Sequence, residues 1–335
     1  VEASAESWRA GEGEPLVVAD TGSPLLLSQL RSDPGFWRYR EWLRLPAGAA
    51  PLSLGEEITP LVSQFLFGLE TVLKLDFRLP SGSYKDRGMA VLAAVAKHWG
   101  VDQAVIDSSG NAAVSLAAYG SAAGIKVTAF VPQSLSANKK SALNRLGAQV
   151  VLVEGDREAA RVEAELAAET TFYGSHVWQP FMAEGVQTIA FEIFEQTAGN
   201  LPETVVVPCG NGLLVFGLAE GFRRLRKSGL VSEVPKIVAV QSETYASLLQ
   251  EGSLGGFTVA EGIAVRRPPR LTQIRSVVEE SGGTVLTVSD SEIEAALQVA
   301  WSAGLPIEPT SAAVLAAMNR ERVEGLAVLT GSLKK

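Results

Sequence analysis

The chain has 335 residues, 47% of them hydrophobic and 20% charged, with a formal net charge of −8, the balance of a globular protein with room for one large domain or two ordinary ones. The acidic balance, broken only by the local pairs Arg223-Arg224 and Arg266-Arg267, argues against a nucleic-acid partner. One cysteine, Cys209, excludes an internal disulfide and a cysteine-built metal site, and two histidines make a zinc centre a poor fit, so no metal is expected.

In chain order, residues 1–22 are small, polar and glycine-rich and read as poorly ordered, without the charged-then-apolar pattern of a signal peptide. Residues 34–43 concentrate Phe36, Trp37, Tyr39 and Trp42 with Arg38 and Arg40, predicting a helix laid on the body with arginine stems over apolar surface. Residues 52–62 read as a turn-rich connector leading into a short strand. A strand over 71–77 runs into the turn Pro80-Ser81-Gly82, and the apolar run 89–96 predicts a helix opened by Lys85-Asp86-Arg87-Gly88. Beyond it, strands are expected at 102–107, 126–131, 149–153, 204–208, 236–240, 284–288 and 326–329. Helices are expected at 112–123, 137–146, 156–169, 189–196, 215–227, 290–303 and 311–318. The stretch between 240 and 284 reads as a long Gly- and Pro-rich connector. Near-continuous Val/Ile/Leu strands alternating with helices mark parallel sheets covered on both faces. The strands are too many for one small sheet, so two α/β units are expected. No apolar run is long enough to span a bilayer, and a cytoplasmic chain with no membrane partner is the expectation.

In such folds ligands gather beyond the carboxyl ends of the strands, and four loops there carry unusual residues. Lys85 stands at a helix start, where the helix dipole disfavours a second positive charge and a neutral amine can attack a carbonyl; alone, the triplet serves equally as a solvated run opening a surface helix. Cys209-Gly210-Asn211-Gly212-Leu213-Leu214 follows a Val-rich strand and opens a helix, the setting that holds a phosphate, or a plain strand–helix turn. It matches neither dinucleotide nor nucleoside-triphosphate motifs. Ser108-Ser109-Gly110-Asn111 offers hydroxyls, an amide and N–H groups to a carboxylate, or an ordinary N-cap. Thr330-Gly331-Ser332 follows the last strand. A phosphate cradle, a carboxylate cradle and a Schiff-base lysine without metal or redox centre together describe a pyridoxal phosphate enzyme.

The stretch Pro80-Ser81-Gly82-Ser83-Tyr84-Lys85-Asp86-Arg87-Gly88 closely resembles the P-T-G-S-F-K-D-R-G motif of threonine synthases, in the tryptophan-synthase-β-like (fold type II) pyridoxal phosphate family. Trp37-Arg38-Tyr39-Arg40, Ser53-Leu54-Gly55-Glu56 with Thr59-Pro60-Leu61, Ser109-Gly110-Asn111, Glu184-Gly185 with Thr188, Glu308-Pro309-Thr310-Ser311-Ala312 and Leu329-Thr330-Gly331 follow in the family's order. The resemblance implies two doubly wound, mostly parallel-sheet domains with the cofactor in the cleft between them, a larger one from 1–78 plus 168–335 and an inserted one from 79–167. It implies pyridoxal 5′-phosphate held by Lys85 as a Schiff base, with Lys85 moving protons at Cα. Asn111 would meet the cofactor's phenolic oxygen, Gly210, Asn211, Gly212, Leu213 and Leu214 its phosphate, and Thr330 its ring nitrogen. Ser108, Ser109 and Gly110 would hold the substrate carboxylate, with Ser83, Tyr84, His176 and Met182 also lining the substrate pocket. A homodimer acting on a small amino acid is implied.

Departures from the family bear on the substrate. His176-Val177 stands for Asn-Ser, and Met182 for the arginine of Asn-Pro-x-Arg, both of which look like phosphate ligands in threonine synthases. A phosphate dianion needs cationic or multiple N–H partners, and methionine offers neither. Leu213-Leu214 resembles the loop of serine/threonine dehydratases, and Tyr84 replaces Phe. The expected activity is elimination or β/γ-replacement on a small amino acid, with a substrate other than O-phosphohomoserine. The alternatives are a dehydratase-type β-eliminating lyase and a catalytically silent binding relative.

Overall fold

The computed structural model describes Ser4, Trp8, Arg9 and residues 15–250 and 255–333. Phe36–Trp42 forms a 3-10 helix, not the longer helix the composition suggests, and its four aromatics are buried. A hairpin of β1 (Leu61–Leu66) and β2 (Leu69–Lys74) follows. Then come α1 (Lys85–His98), β3 (Gln103–Ile106), α2 (Asn111–Ala123), β4 (Lys126–Pro132), α3 (Ala137–Arg145), β5 (Gln149–Val153), α4 (Arg157–Ala167) and β6 (Phe172–Tyr173). The chain continues through α5 (Pro180–Gln196), β7 (Thr204–Pro208), α6 (Leu213–Lys227), β8 (Lys236–Ser242), α7 (Leu271–Glu280), β9 (Thr284–Val288), α8 (Asp290–Ser302), α9 (Pro309–Glu321) and β10 (Leu326–Val328).

Two sheets result. One has the order β1-β2-β10-β7-β8-β9, parallel except for β1, and draws strands from both ends of the chain. The other, β5-β4-β3-β6, is wholly parallel and comes from the middle. Because Phe172–Tyr173 pairs with β3, the middle sheet runs past residue 167. The arrangement gives the mostly parallel α/β units that the resemblance implies, with β2, β10 and β7 side by side.

The inner helices are apolar all round, as burial on every face requires. Asp86 through Ala96 of α1 and Pro180 through Ile193 of α5 are buried. The two helices touch at Gly185, where a Cβ would stand 2.0 Å from the Arg87 carbonyl oxygen. The reading of Lys85-Asp86-Arg87 as a solvated run is overturned here, since Asp86 and Arg87 are wholly buried.

Two expectations need correction. The connector before β9 contains α7, whose Leu271, Ile274, Val277 and Val278 recur at helical spacing between flanking Pro and Gly pairs. In the amino-terminal stretch, Trp8 is buried, edge-on to Tyr173 at 4.8 Å and to Trp178 at 5.6 Å between ring centroids. Leu16 accepts a hydrogen bond from Arg270, and Asp20 pairs with Lys227 at 2.7 Å. For residues 1–3, 5–7 and 10–14 the expectation of poor order lies outside the described residues.

Candidate active site

Lys85 is the first residue of α1, reached through a tight turn in which Gly82 has φ +84° and donates to the Leu79 carbonyl. The loop is laced to the end of β10: Ser83 bridges Gly331, Tyr84 N–H donates to the Thr330 carbonyl at 2.9 Å, and Ser332 N–H donates to Gly82. Lys85 Nζ donates to the Tyr84 hydroxyl at 2.6 Å and lies 4.4 Å from the centroid of that ring. Burial first, then the positive charge of Arg157, pushes the Lys85 amine down to about 7, against the opposing pull of Glu308. Desolvation, more than the helix dipole, therefore produces the neutral amine. Burial raises the Tyr84 hydroxyl well above its ordinary range, so it stays protonated.

The second loop opens α2. Gly110 is the N-cap and no side chain caps the helix, leaving its first N–H groups free. A Cβ on Gly110 would meet nothing within 4 Å, so the backbone faces open space. Asn111 Nδ2 donates to Glu308 Oε1 at 2.9 Å, while its Oδ1 is buried without a partner. Ser108 is buried, and its hydroxyl accepts from Gly110 N–H.

Glu308 sits at the N-cap of α9. A Cβ on Gly331 would lie 2.2 Å from Glu308 Oε1 and 3.0 Å from Asn111 Nδ2, so only glycine lets the β10 loop pass. Ser311 fastens that loop, accepting from the N–H groups of Thr330 and Gly331 and sharing a hydrogen bond of 3.1 Å with the Thr330 hydroxyl. Sequence reasoning gives Glu308 and Ser311 no role, although the Glu308-Pro309-Thr310-Ser311 run carries the signal.

The third loop opens α6. Gly212 is its N-cap in the left-handed region, φ +82°, again with no side-chain cap. A Cβ there would collide with Ile274 at 2.2 Å, so α7 presses on the loop and holds it. Gly210 packs against the Gly262 carbonyl in the same way. Leu213 and Leu214 are buried, so only their backbone is on offer. Burial raises the Cys209 thiol to about 12, which leaves it inert.

Of the residues singled out from sequence, Ser83, Tyr84, Lys85, Ser108–Asn111, Gly210–Gly212 and Thr330 stand on these interlocked loops. His176 follows β6 and is buried; burial, then the charges of Lys85 and Arg157, hold its pKa well below the ordinary value, so the imidazole is neutral. Met182 is placed elsewhere. Its Sδ and Cε lie 2.9 and 2.6 Å from where a Gly88 Cβ would be, so its thioether is spent on the α1–α5 interface. A buried neutral amine, an uncapped helix start made of glycine backbone, and the orphaned Asn111 Oδ1 and Ser83 Oγ fit an aldehyde that carries a phosphate and a ring oxygen.

Known proteins agree. The profile of the pyridoxal-phosphate dependent enzyme family matches residues 52–331. The chain is 31% identical to the threonine synthase of Methanocaldococcus jannaschii over 309 residues, 87% of this chain and 76% of that protein. It is 31% identical to the threonine synthase of Mycobacterium tuberculosis over 84% of this chain and 80% of that protein. Among solved structures, a pyridoxal 5′-phosphate-dependent aspartate racemase superposes with a TM-score of 0.72 at 22% identity, covering 83% of this chain and 91% of the other. A T.th. threonine deaminase superposes with a TM-score of 0.69 at 23% identity, covering 83% and 94%. The chain therefore belongs to the pyridoxal-phosphate dependent enzymes, with threonine synthases among its relatives.

Proposed function

We propose that this enzyme removes, or removes and replaces, a β or γ substituent of a small amino acid. The observation that carries the reading is Lys85, whose amine is neutral near pH 7 and stands among three loops that bring free N–H groups and hydroxyls to one place. Bound pyridoxal phosphate supplies the electron sink that makes the Cα proton removable. Lys85 holds the cofactor's aldehyde carbon and, once displaced by the substrate amine, takes the Cα proton as base. The N–H groups of Gly210, Asn211, Gly212, Leu213 and Leu214 hold the phosphate, Asn111 the ring oxygen, and the Thr330 hydroxyl the ring nitrogen. A hydroxyl does not stabilise a protonated ring as a carboxylate does, which suits elimination better than transamination. Ser108, Ser109 and Gly110 hold the substrate carboxylate, with Ser83, Tyr84 and His176 beside it. Met182 acts on the pocket through the spacing of α1 and α5.

A dehydratase-type reaction is favoured over phosphate release by the neutral His176, which stands where a phosphate ligand is expected, and by the engagement of Met182 with Gly88. In that reaction the Cα proton passes to Lys85, the Cβ–O bond breaks, and the product is a 2-oxo acid with ammonia and no net loss of water. Incubating purified holoenzyme with L-serine, L-threonine and O-phosphohomoserine tests it. The expected result is 2-oxo acid from the hydroxy amino acids and little phosphate or threonine. Phosphate release at a useful rate overturns the reading of the pocket; no turnover of any of the three supports a silent relative. Among the described residues no helix is long and apolar enough to cross a membrane. A cytoplasmic homodimer is part of the proposal, supported by the family resemblance, and sedimentation velocity checks the dimer.

A further inference from the structure

Three buried polar atoms near Lys85 have no hydrogen bond of ordinary geometry among the described residues: Asp107 Oδ1, Tyr173 OH and His176 Nδ1. Two come from neighbouring strand ends. Val105 and Tyr173 are in register on the parallel pair β3 and β6, and Gly174 N–H donates to the Val105 carbonyl at 2.8 Å. Side chains alternate along a strand, so Asp107, two residues beyond Val105, shares a sheet face with Tyr173. The Tyr173 hydroxyl and the Asp107 carboxyl are close enough to shift one another's protonation. His176, on the loop leaving β6, feels the charge of Lys85. Asp107 directly precedes the Ser108–Asn111 loop. Trp8 and Trp178 pack edge-to-face, with Trp8 also against Tyr173, so an apolar wall backs the group. Buried polar atoms are nearly always satisfied, and three orphans together leave room for a ligand that satisfies them.

We infer that Asp107, Tyr173 and His176 form a specificity site for an uncharged hydrogen-bonding group, a hydroxyl or a carboxamide, at the far end of the amino-acid substrate. This rests on the proposed amino-acid chemistry at Lys85. The carboxylate oxygen accepts, the tyrosine hydroxyl donates or accepts, and the neutral imidazole adds one more partner. A phosphate would lie against the carboxylate of Asp107 with no hydrogen-bonded cation in the set. Arg157, the first residue of α4, contributes positive charge to Asp107 and His176 through space, but its side chain is exposed and does not hydrogen-bond to either. It balances Asp107, so a substrate end of either charge gains little.

Spectral titration of the holoenzyme measures the affinity difference between L-threonine and L-2-aminobutyrate, which lacks only the hydroxyl. A site built to hydrogen-bond a substrate hydroxyl discriminates strongly against the analogue without it. At least a tenfold preference for L-threonine is expected, shrinking to less than about threefold in Tyr173→Phe and Asp107→Asn, with L-2-aminobutyrate affinity unchanged. Thermal unfolding confirms that each variant is folded. Should Tyr173→Phe fail to fold, Asp107→Asn and His176→Gln carry the test. Equal affinities for the pair in wild-type enzyme, tighter binding of O-phospho-L-threonine or L-aspartate, or variants that weaken both ligands alike would each overturn the inference. If no amino acid perturbs the spectrum at all, the reading of Lys85 fails instead.

Discussion

Two lysines stand at either end of the segment joining β2 to α1, and their surroundings are opposites. Lys74 is wholly buried and donates to the Thr59 carbonyl, Glu192 and Gln196 at 2.6–2.7 Å. Arg87 lies beside it and pairs with both Asp76 and Glu192, with further hydrogen bonds to Thr59 and Thr188. Two cations meet two carboxylates. Burial alone would raise Glu192, yet the charges of Arg87 and Lys74 hold it at about 2. The Lys85 amine, by contrast, is hydrogen-bonded to Tyr84, with orphaned atoms of Ser83 and Asn111 nearby. Burial lowers the pKa of both lysines, so a perturbed amine alone does not mark a site. Partner accounting does: the satisfied cluster is scaffold, and the unsatisfied one awaits a ligand.

The largest effect that separates the two regions is expected at Arg87. Arg87→Met strands two buried carboxylates and should cost about 3–5 kcal/mol in urea unfolding. A loss below about 1 kcal/mol would mean that the network is not structural. Gly185→Ala drives a Cβ into the Arg87 carbonyl and, by overpacking α1 against α5, should cost about 1–3 kcal/mol, read from the shift in urea midpoint.

On the other side, the pH dependence of cofactor capture reports Lys85. Only the neutral amine attacks, so the capture rate of cofactor-free protein should be level above pH 7 and fall about tenfold per unit below it. A lysine with an ordinary pKa would instead keep climbing toward about pH 10. The smallest effect is expected in stability, where Lys85→Ala should alter the unfolding free energy by less than about 1 kcal/mol while turnover disappears. Equal loss of fold in Lys85→Ala and Arg87→Met would dissolve the distinction.

The same contrast explains what can be read in the sequence. The strands 149–153, 204–208 and 284–288 coincide with β5, β7 and β9, because β-branched runs bounded by turns have few alternatives. Lys85, Gly212 and Asn111 are legible because loops at strand ends expose chemistry locally. The fate of Arg87 is not, because one of its carboxylate partners, Glu192, is 105 residues away and only the fold brings it close. A three-residue charged run looks solvated until its counter-ions arrive. Met182 reads as a pocket residue from its place in a motif, whereas its packing partner is Gly88 on another helix. β6 is two residues long and too short to show a period. The orphaned trio of Asp107, Tyr173 and His176 emerges only when hydrogen bonds are counted in the folded chain.

Borohydride reduction of the purified yellow protein, followed by peptide mapping, tests the central distinction most directly. The account predicts one modified peptide, carrying the cofactor on Lys85, with Lys74 untouched. Modification at Lys74 or at a surface lysine such as Lys139, or a colourless protein that cannot be reconstituted, would contradict it.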